Sequence, residues 1–136
     1  MRVFLDANIL FSAAKSDGAV RRLLVRVQQV GHQCVVDAYV VEEARRNIVA
    51  KAPAASAFFG VMVAGFDHAR LLPADPALDA SLPLPPKDRP VLSAAIRHRC
   101  AALVTGDVSH FGALFGTSLH GVTIHSPRSL AERLLS

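Results

Sequence analysis

The stretch Ala101-Ala102-Leu103-Val104-Thr105-Gly106-Asp107 decides the fold class of this chain. A short, wholly apolar run that ends at a glycine is typical of a strand buried on both faces, and such strands occur in parallel sheets. Asp107 then follows the C-terminal end of the strand. In open α/β sheets, ligands bind at this edge, where the order of the strands reverses. Because Gly-Asp is also ordinary turn chemistry, the rest of the chain must decide whether Asp107 is functional.

Length and composition indicate one domain that covers residues 1–136, with 51% hydrophobic residues to form its core. Asp6 interrupts the first apolar run, so no signal peptide is predicted. The longest apolar-rich segment, 58–66, is about half of the roughly 20 residues that a membrane span needs. We therefore expect a soluble, cytoplasmic protein without a membrane association. Cys34 and Cys100 are predicted to be buried free thiols because neither has a companion at a metal-ligand spacing.

Apolar periodicity and turn residues predict alternating strands and helices in one α/β domain. Its central parallel sheet is predicted to have about four to five strands, flanked by helices. The predicted strands are 2–6, 33–36, a short one at 69–72, 101–104 and 121–125. The predicted helices are 19–30, 37–50, 54–66, one that follows residue 88, and one that starts at 126–127. The proline-rich segment 73–86 is predicted to be a surface loop.

Four acidic residues are predicted to meet at one edge of this sheet. Asp6 and Asp107 end strands and Asp88 begins a helix, and these ends share one face in a right-handed βαβ arrangement. Glu43 lies about six residues into its helix, at the margin of the buried stripe, and its long side chain reaches the same edge. Its neighbour Glu42 has arginines at i+3 and i+4, an ordinary surface arrangement.

Carboxylates this close cannot all stay ionised without compensation, because like charges and desolvation both raise their pKa values. A divalent cation removes this difficulty. Ligands that are all oxygen suit Mg²⁺ or Mn²⁺, which substrate phosphate oxygens can help to coordinate. Such ions activate a water and neutralise developing charge in phosphodiester hydrolysis. The formal net charge of +4 permits a polyanionic partner, so the pattern favours a nuclease.

Four short pieces of sequence, in this order and spacing, are similar to those of a known family. They are Phe4-Leu5-Asp6-Ala7-Asn8, Val41-Glu42-Glu43-Ala44, Lys87-Asp88 and Leu103-Val104-Thr105-Gly106-Asp107. Over essentially its whole length the chain resembles a PIN domain of the VapC-like toxin group of prokaryotic ribonucleases. The resemblance implies a three-layer, Rossmann-like fold. It also implies an endoribonuclease that depends on Mg²⁺ or Mn²⁺ and cuts RNA. It also implies a cognate antitoxin as a partner and a homodimer.

The resemblance also implies roles for individual residues. The residues that it implies as catalytic, metal-binding acids are Asp6, Glu43, Asp88 and Asp107. Asn8 and Thr105 are implied to support these acids by hydrogen bonds. Many relatives carry another acid two or three residues after the position of Asp107, where this chain has Ser109 and His110. A second metal is therefore expected to bind weakly, and His110 either contacts substrate phosphate or packs beside Phe111, the second being favoured.

Several basic residues could contact RNA, and functions other than a nuclease are also considered. The candidates for contact with RNA are Lys15, Arg21, Arg22, Arg45, Arg46, Lys87 and Arg89. A PIN-like module that binds RNA or protein without cutting is the first alternative. A Mg²⁺-dependent phosphatase or phosphotransfer receiver fits less well. The phosphatase needs a second acid where Asn8 stands. The receiver needs a lysine after its last strands, and this chain has none there.

Overall fold

The computed structural model describes residues 1–135 and contains a six-stranded sheet flanked by α-helices. The strands are β1 (Arg2–Leu5), β2 (Gln33–Val36), β3 (Asp67–His68), β4 (Ala102–Val104), β5 (Ser118–Leu119) and β6 (Val122–His125). The helices are α1 (Ala7–Lys15), α2 (Ala19–Gln29), α3 (Ala38–Lys51), α4 (Ser56–Ala64), α5 (Pro76–Ser81), α6 (Arg89–Arg97), α7 (Val108–Phe111) and α8 (Pro127–Leu135). The predicted α/β class with a central parallel sheet is confirmed.

The strand order is β3-β2-β1-β4-β6-β5, and all strands are parallel except β5, which runs antiparallel to β6. The sheet therefore has six strands, rather than the predicted four to five. The extra strand, β5, is two residues long and joins β6 through a tight turn at Gly121, where φ is +85°. A strand this short shows no alternation of apolar and polar residues, so its sequence carries no strand pattern.

The strands at the centre of the sheet form the deepest part of the core. Val3, Phe4 and Leu5 of β1 and Leu103 of β4 have no exposed surface. This explains why both strands are continuous apolar runs, because helices cover a parallel sheet on its two faces. Among the described residues, no helix is long and apolar enough to cross a membrane.

The segment between α4 and α6 differs from prediction in two ways. The third strand is Asp67–His68, two residues before the predicted strand at 69–72, and it pairs with β2. The proline-rich segment 73–86 is not all loop, because it contains helix α5. Pro76 occupies the first turn of α5 and Asp75 caps it by accepting a hydrogen bond from the backbone of Leu78. Proline is tolerated in a first helical turn because that backbone N–H has no partner within the helix.

The chain passes from β1 into a helix with no intervening loop. Asp6, predicted to end the first strand, is instead the N-cap of α1, and its side chain accepts a hydrogen bond from the backbone N–H of Ala7. The predicted strand β2 and the N-cap role of Asp37 are both confirmed: the carboxylate of Asp37 accepts from the backbone N–H of Val40 at 3.1 Å. Strands β1 and β4 are adjacent, with β2 on the far side of β1, so the strand order reverses between them.

Candidate active site

The reversal of strand order between β1 and β4 places Asp6 beside Thr105 at the C-terminal edge of the sheet. Asp6 is 5% exposed, and its two carboxylate oxygens are held by different donors. Oδ1 accepts from the N–H of Ala7 at 2.7 Å. Oδ2 accepts from the Thr105 hydroxyl at 2.8 Å and from the Asn8 amide at 3.3 Å. The Asp6 carboxylate is therefore fixed in one orientation.

Thr105 connects the acids of the two strand ends. Its hydroxyl is buried and accepts hydrogen bonds from the Asn8 amide at 3.2 Å and from the backbone N–H of Asp107 at 3.1 Å. Asn8 in turn accepts from the backbone N–H of Gly106 at 2.7 Å. These bonds lock the turn after β4 against the first turn of α1. Asn8 and Thr105 therefore both donate hydrogen bonds to Asp6, and their role in supporting a catalytic site stays a prediction.

Asp107, Asp88 and His110 form a second group at the same edge. Asp107 is the N-cap of α7, where its Oδ1 accepts from the backbone N–H of His110 at 3.0 Å. This leaves Oδ2 directed at the imidazole, 3.0 Å from Nδ1 of His110. The same Nδ1 lies 2.8 Å from Oδ2 of Asp88. His110 thus joins the two acids, and the favoured prediction that it merely packs beside Phe111 is wrong.

Two atoms in this second group are buried and lack a hydrogen-bond partner. They are Oδ2 of Asp88 and Nδ1 of His110, which are close but not in hydrogen-bonding geometry. Buried polar atoms nearly always have a hydrogen-bond partner, so two neighbouring atoms without one need an explanation. Ligand atoms of Asp88, Asp107 and His110 lie within 4.8 Å of one another. The donors present fit a divalent cation, which would occupy the unsatisfied lone pairs.

Burial controls the protonation of Asp6. Desolvation raises the pKa of its carboxyl from the ordinary 3.8 to about 6. The hydrogen bonds from Thr105 and Ala7 oppose this rise, whereas the negative charges of Glu43 and Asp88 add to it.

Glu43 and Ser109 are less closely engaged than the other predicted site residues. Glu43 is exposed on α3 and makes no hydrogen bond or ion pair within residues 1–135, although its charge acts on Asp6. Glu42 pairs with Arg45 at 3.0 Å, as the surface interpretation predicted. Ser109 is exposed, and its side chain makes no hydrogen bond in the described part of the chain. The structure therefore groups Asp88 and Asp107 with His110 and connects Asp6 to Asp107 through Thr105, while Glu43 is exposed and acts on Asp6 through its charge.

Tyr39 is a member of this edge that the sequence analysis missed. Its hydroxyl donates a hydrogen bond to the backbone carbonyl of Lys87 at 2.8 Å, which ties the start of α3 to the residue before Asp88. Its pKa is raised by burial and then by the charges of Glu43, Asp88 and Asp6. A tyrosine two residues after a predicted N-cap carries no local signal for such a role, because its partner is 48 residues away.

The candidate RNA contacts divide into engaged and free side chains. Arg21 donates to carbonyls at the end of α1 and lies 3.8 Å from the centre of the Phe58 ring. Four more of these side chains have a partner within the protein. Arg22 forms an ion pair with Asp17, and Arg45 forms one with Glu42. Arg89 donates a hydrogen bond to the carbonyl of Leu84, and the ammonium group of Lys15 lies over the ring of Phe11. Within residues 1–135, the side chains of Arg46 and Lys87 form no hydrogen bond or ion pair. Arg46 acts electrostatically on Tyr39, and Lys87 precedes Asp88, so both cations border the acids.

Comparison with known proteins gives one family and several structural neighbours. A family model described as a PIN domain matches residues 2–109. No curated protein sequence is significantly similar to the chain. One similar structure is VapBC2 from Rickettsia felis bound to a DNA fragment from their promoter. It has a TM-score of 0.70 and 14% identity, and the match covers 93% of this chain and 98% of that one.

Two further structures share the fold at similar distance. VapBC-1 from nontypeable Haemophilus influenzae has a TM-score of 0.62 and 15% identity, covering 94% of this chain and 99% of that chain. FitAB bound to an IR36 DNA fragment has a TM-score of 0.61 and 14% identity, covering 92% and 94%. At these identities the likeness establishes the fold.

Proposed function

Because this chain belongs to the PIN domain family, whose members are typically nucleases that use divalent metals, we propose that it is a metal-dependent endoribonuclease. Its reaction is the hydrolysis of RNA phosphodiester bonds with Mg²⁺ or Mn²⁺. The observation that carries the proposal is the meeting of Asp88, Asp107 and His110 with unsatisfied buried ligand atoms, next to the fixed Asp6. We also propose that residues 1–136 form a single domain.

The residues of the chain have separate tasks in this reaction. Asp88 and Asp107 hold the cation, with Asp6 fixed beside them and Glu43 at the rim. Held by these residues, a divalent cation would supply activation of a water and neutralisation of the charge that develops on the phosphate. Asn8 and Thr105 keep the carboxylates oriented, so that little reorganisation is needed during the reaction.

The free cations beside the acids fit the substrate. Arg46 and Lys87 have no ion-pair partner to give up in the described part of the chain, and both are exposed. They are available to phosphates on either side of the bond that is cut. Such contacts add affinity that falls as salt rises, because counterions are released from the nucleic acid.

The cellular role that we propose is that of the toxin of a toxin–antitoxin pair in the cytoplasm. Support comes from the structural neighbours, whose names identify them as VapBC and FitAB complexes. A surface for partners is available on α4, where Phe58 is 40% exposed and Val61 is 75% exposed. Apolar side chains this exposed on one helix are typical of interaction surfaces. A cognate antitoxin and a second copy of the chain are the proposed partners.

A cleavage assay on defined RNAs tests the activity, with Asp107→Asn as the decisive variant. Asparagine keeps an amide oxygen that can cap α7, so the fold is expected to persist, while one cation ligand is lost. We expect cleavage to need Mg²⁺ or Mn²⁺ and to fall at least about a hundredfold in this variant. Glu42→Gln is the matched control, because it neutralises an exposed acid outside the site and leaves cleavage unchanged.

Two results would contradict the proposal. One is cleavage that persists undiminished in EDTA. The other is equal cleavage by the wild type and by Asp107→Asn when both are folded by circular dichroism. Metal-dependent RNA binding without any cleavage would favour the alternative of a non-catalytic binding module.

A further inference from the structure

His110 supplies a nitrogen to a group of ligand atoms that is otherwise all oxygen. We propose that His110 is a ligand of the divalent cation through Nδ1, and that this nitrogen makes the site prefer Mn²⁺ to Mg²⁺. The inference rests on the proposed function for the presence of a cation at this edge. It adds the identity of one ligand and the class of metal, a first-row transition ion that accepts imidazole.

Helix α7 presents the ligand atoms of Asp107 and His110 side by side. The two residues are three positions apart, so their side chains lie on the same side of a single helical turn. The backbone N–H of His110 occupies Oδ1 of Asp107 and thereby turns Oδ2 toward the imidazole. Both residues are half-buried, with 22% and 32% of their side-chain surfaces exposed. The pair therefore lies near the protein surface, although Nδ1 of His110 is itself buried.

Asp88 brings the third ligand atom from another element. It occupies the N-cap position of α6, but its side chain makes no capping hydrogen bond, which is unusual for an aspartate there. The carboxylate instead points to His110, with Oδ2 at 2.8 Å from Nδ1. The side chain of Asp88 is therefore not used to stabilise the start of α6 and is available as a ligand. The Tyr39–Lys87 hydrogen bond holds the preceding residue in position.

The spacing of these atoms fits metal ligands, and the missing hydrogen bond at Nδ1 argues against a simple ion pair. Nδ1 lies 2.8 Å and 3.0 Å from the two carboxylate oxygens, near the roughly 3 Å edge of an octahedron with bonds of about 2.1 Å. An ion pair without metal would be stabilised by hydrogen bonds, yet Nδ1 makes none. Its lone pair is therefore better accounted for by a metal than by either carboxylate.

The choice of metal follows from ligand chemistry. Mg²⁺ is a hard ion that binds oxygen ligands and keeps several waters, so an imidazole adds little to its affinity. Mn²⁺ accepts oxygen ligands equally well, and first-row transition ions also accept imidazole. One nitrogen ligand beside two carboxylates therefore raises the affinity of the site for Mn²⁺ relative to Mg²⁺. Mn²⁺ can still bind a substrate through its phosphate oxygens. A site with an acid in place of His110 would lack this discrimination.

Metal binding to the whole chain, measured without RNA, tests the assignment directly. Isothermal titration calorimetry of metal-free protein with MnCl₂ and with MgCl₂ is expected to give at least about tenfold tighter binding of Mn²⁺. Pulsed electron paramagnetic resonance of the Mn²⁺-loaded protein should show coupling to a directly bonded ¹⁴N. Absence of that coupling in the wild type overturns the proposal, whatever the variants do.

Substitutions then identify the nitrogen. His110→Gln should lose the ¹⁴N coupling and weaken Mn²⁺ binding at least about tenfold, while Mg²⁺ binding changes little. His110→Asp gives a site whose ligand atoms are all oxygen, so the affinities for Mn²⁺ and Mg²⁺ should become similar. His120→Gln is the matched control, because His120 is exposed in the turn before β6, at the opposite edge of the sheet. It should behave as the wild type.

The outcomes separate this assignment from the proposed function. RNA cleavage that depends on Asp107, together with equal Mn²⁺ and Mg²⁺ affinities, overturns the role of His110 and leaves the ribonuclease in place. Nitrogen-coordinated Mn²⁺ in a protein that cleaves no RNA upholds the metal site and overturns the ribonuclease. Retention of ¹⁴N coupling in a folded His110→Gln variant overturns the assignment to this residue.

Discussion

Replacing Asp6 with asparagine removes a carboxylate that is costly to bury when no metal is present. Its pKa of about 6 in the fold exceeds the ordinary 3.8 because burial disfavours the charged form. A rise of about 2 units corresponds to roughly 3 kcal/mol of free energy of unfolding. Because the folded pKa is raised, this contribution to stability is fully present below about pH 4 and is lost as the pH rises through 6.

The asparagine variant should therefore gain stability relative to the wild type as the pH rises. Between pH 4.5 and pH 8 we expect the difference in free energy of unfolding to shift by about 2 kcal/mol in favour of Asp6→Asn. The amide also forfeits part of the hydrogen bonding to Thr105 and Asn8, at a cost of about 1–2 kcal/mol. That cost does not depend on pH. The quantity to measure is therefore how the difference in free energy of unfolding between the two proteins changes with pH.

Urea unfolding of both proteins in EDTA, followed by circular dichroism at several pH values, measures this slope. Asp17→Asn is the control for losing one negative charge, because Asp17 is an exposed acid far from the sheet edge. A difference that stays flat across the range would refute the reasoning. It would show that the donors around Asp6 fully offset the desolvation of its charge.

Two further predictions concern residues around the site and in the core. Tyr39→Phe removes the hydrogen bond that positions Lys87, the residue before Asp88. Mn²⁺ affinity, measured by calorimetry, should therefore fall by up to about fivefold, which is about 1 kcal/mol. Unchanged affinity would show that this hydrogen bond does not position the metal ligand. Burial raises the pKa of the Cys34 thiol to about 12 and of the Cys100 thiol to about 11. Both should stay unmodified by a thiol reagent at pH 8 and react once urea unfolds the protein, and rapid labelling of the native protein would contradict this.

The parts of the fold that local patterns specify were predicted well. The apolar runs of β1, β2, β4 and β6 and the amphipathic helices are set by residues that lie next to one another in the chain. Elements of two residues, such as β3 and β5, were misplaced or missed because they exist only through pairing with a neighbouring strand. Helix α5 was missed because prolines in its flanks hide a helix that begins at Pro76.

The sequence by itself determined which acids end strands or begin helices, since Gly-Asp after an apolar run and Asp before a helix are local features. It therefore placed Asp6, Asp88 and Asp107 at one edge of a parallel sheet. Only the tertiary structure decided what those acids contact. The hydrogen bond of Thr105 to Asp6 joins residues 99 positions apart, and His110 meets Asp88 from a different element. Such contacts arise from strand order and helix packing, which no short stretch of sequence encodes.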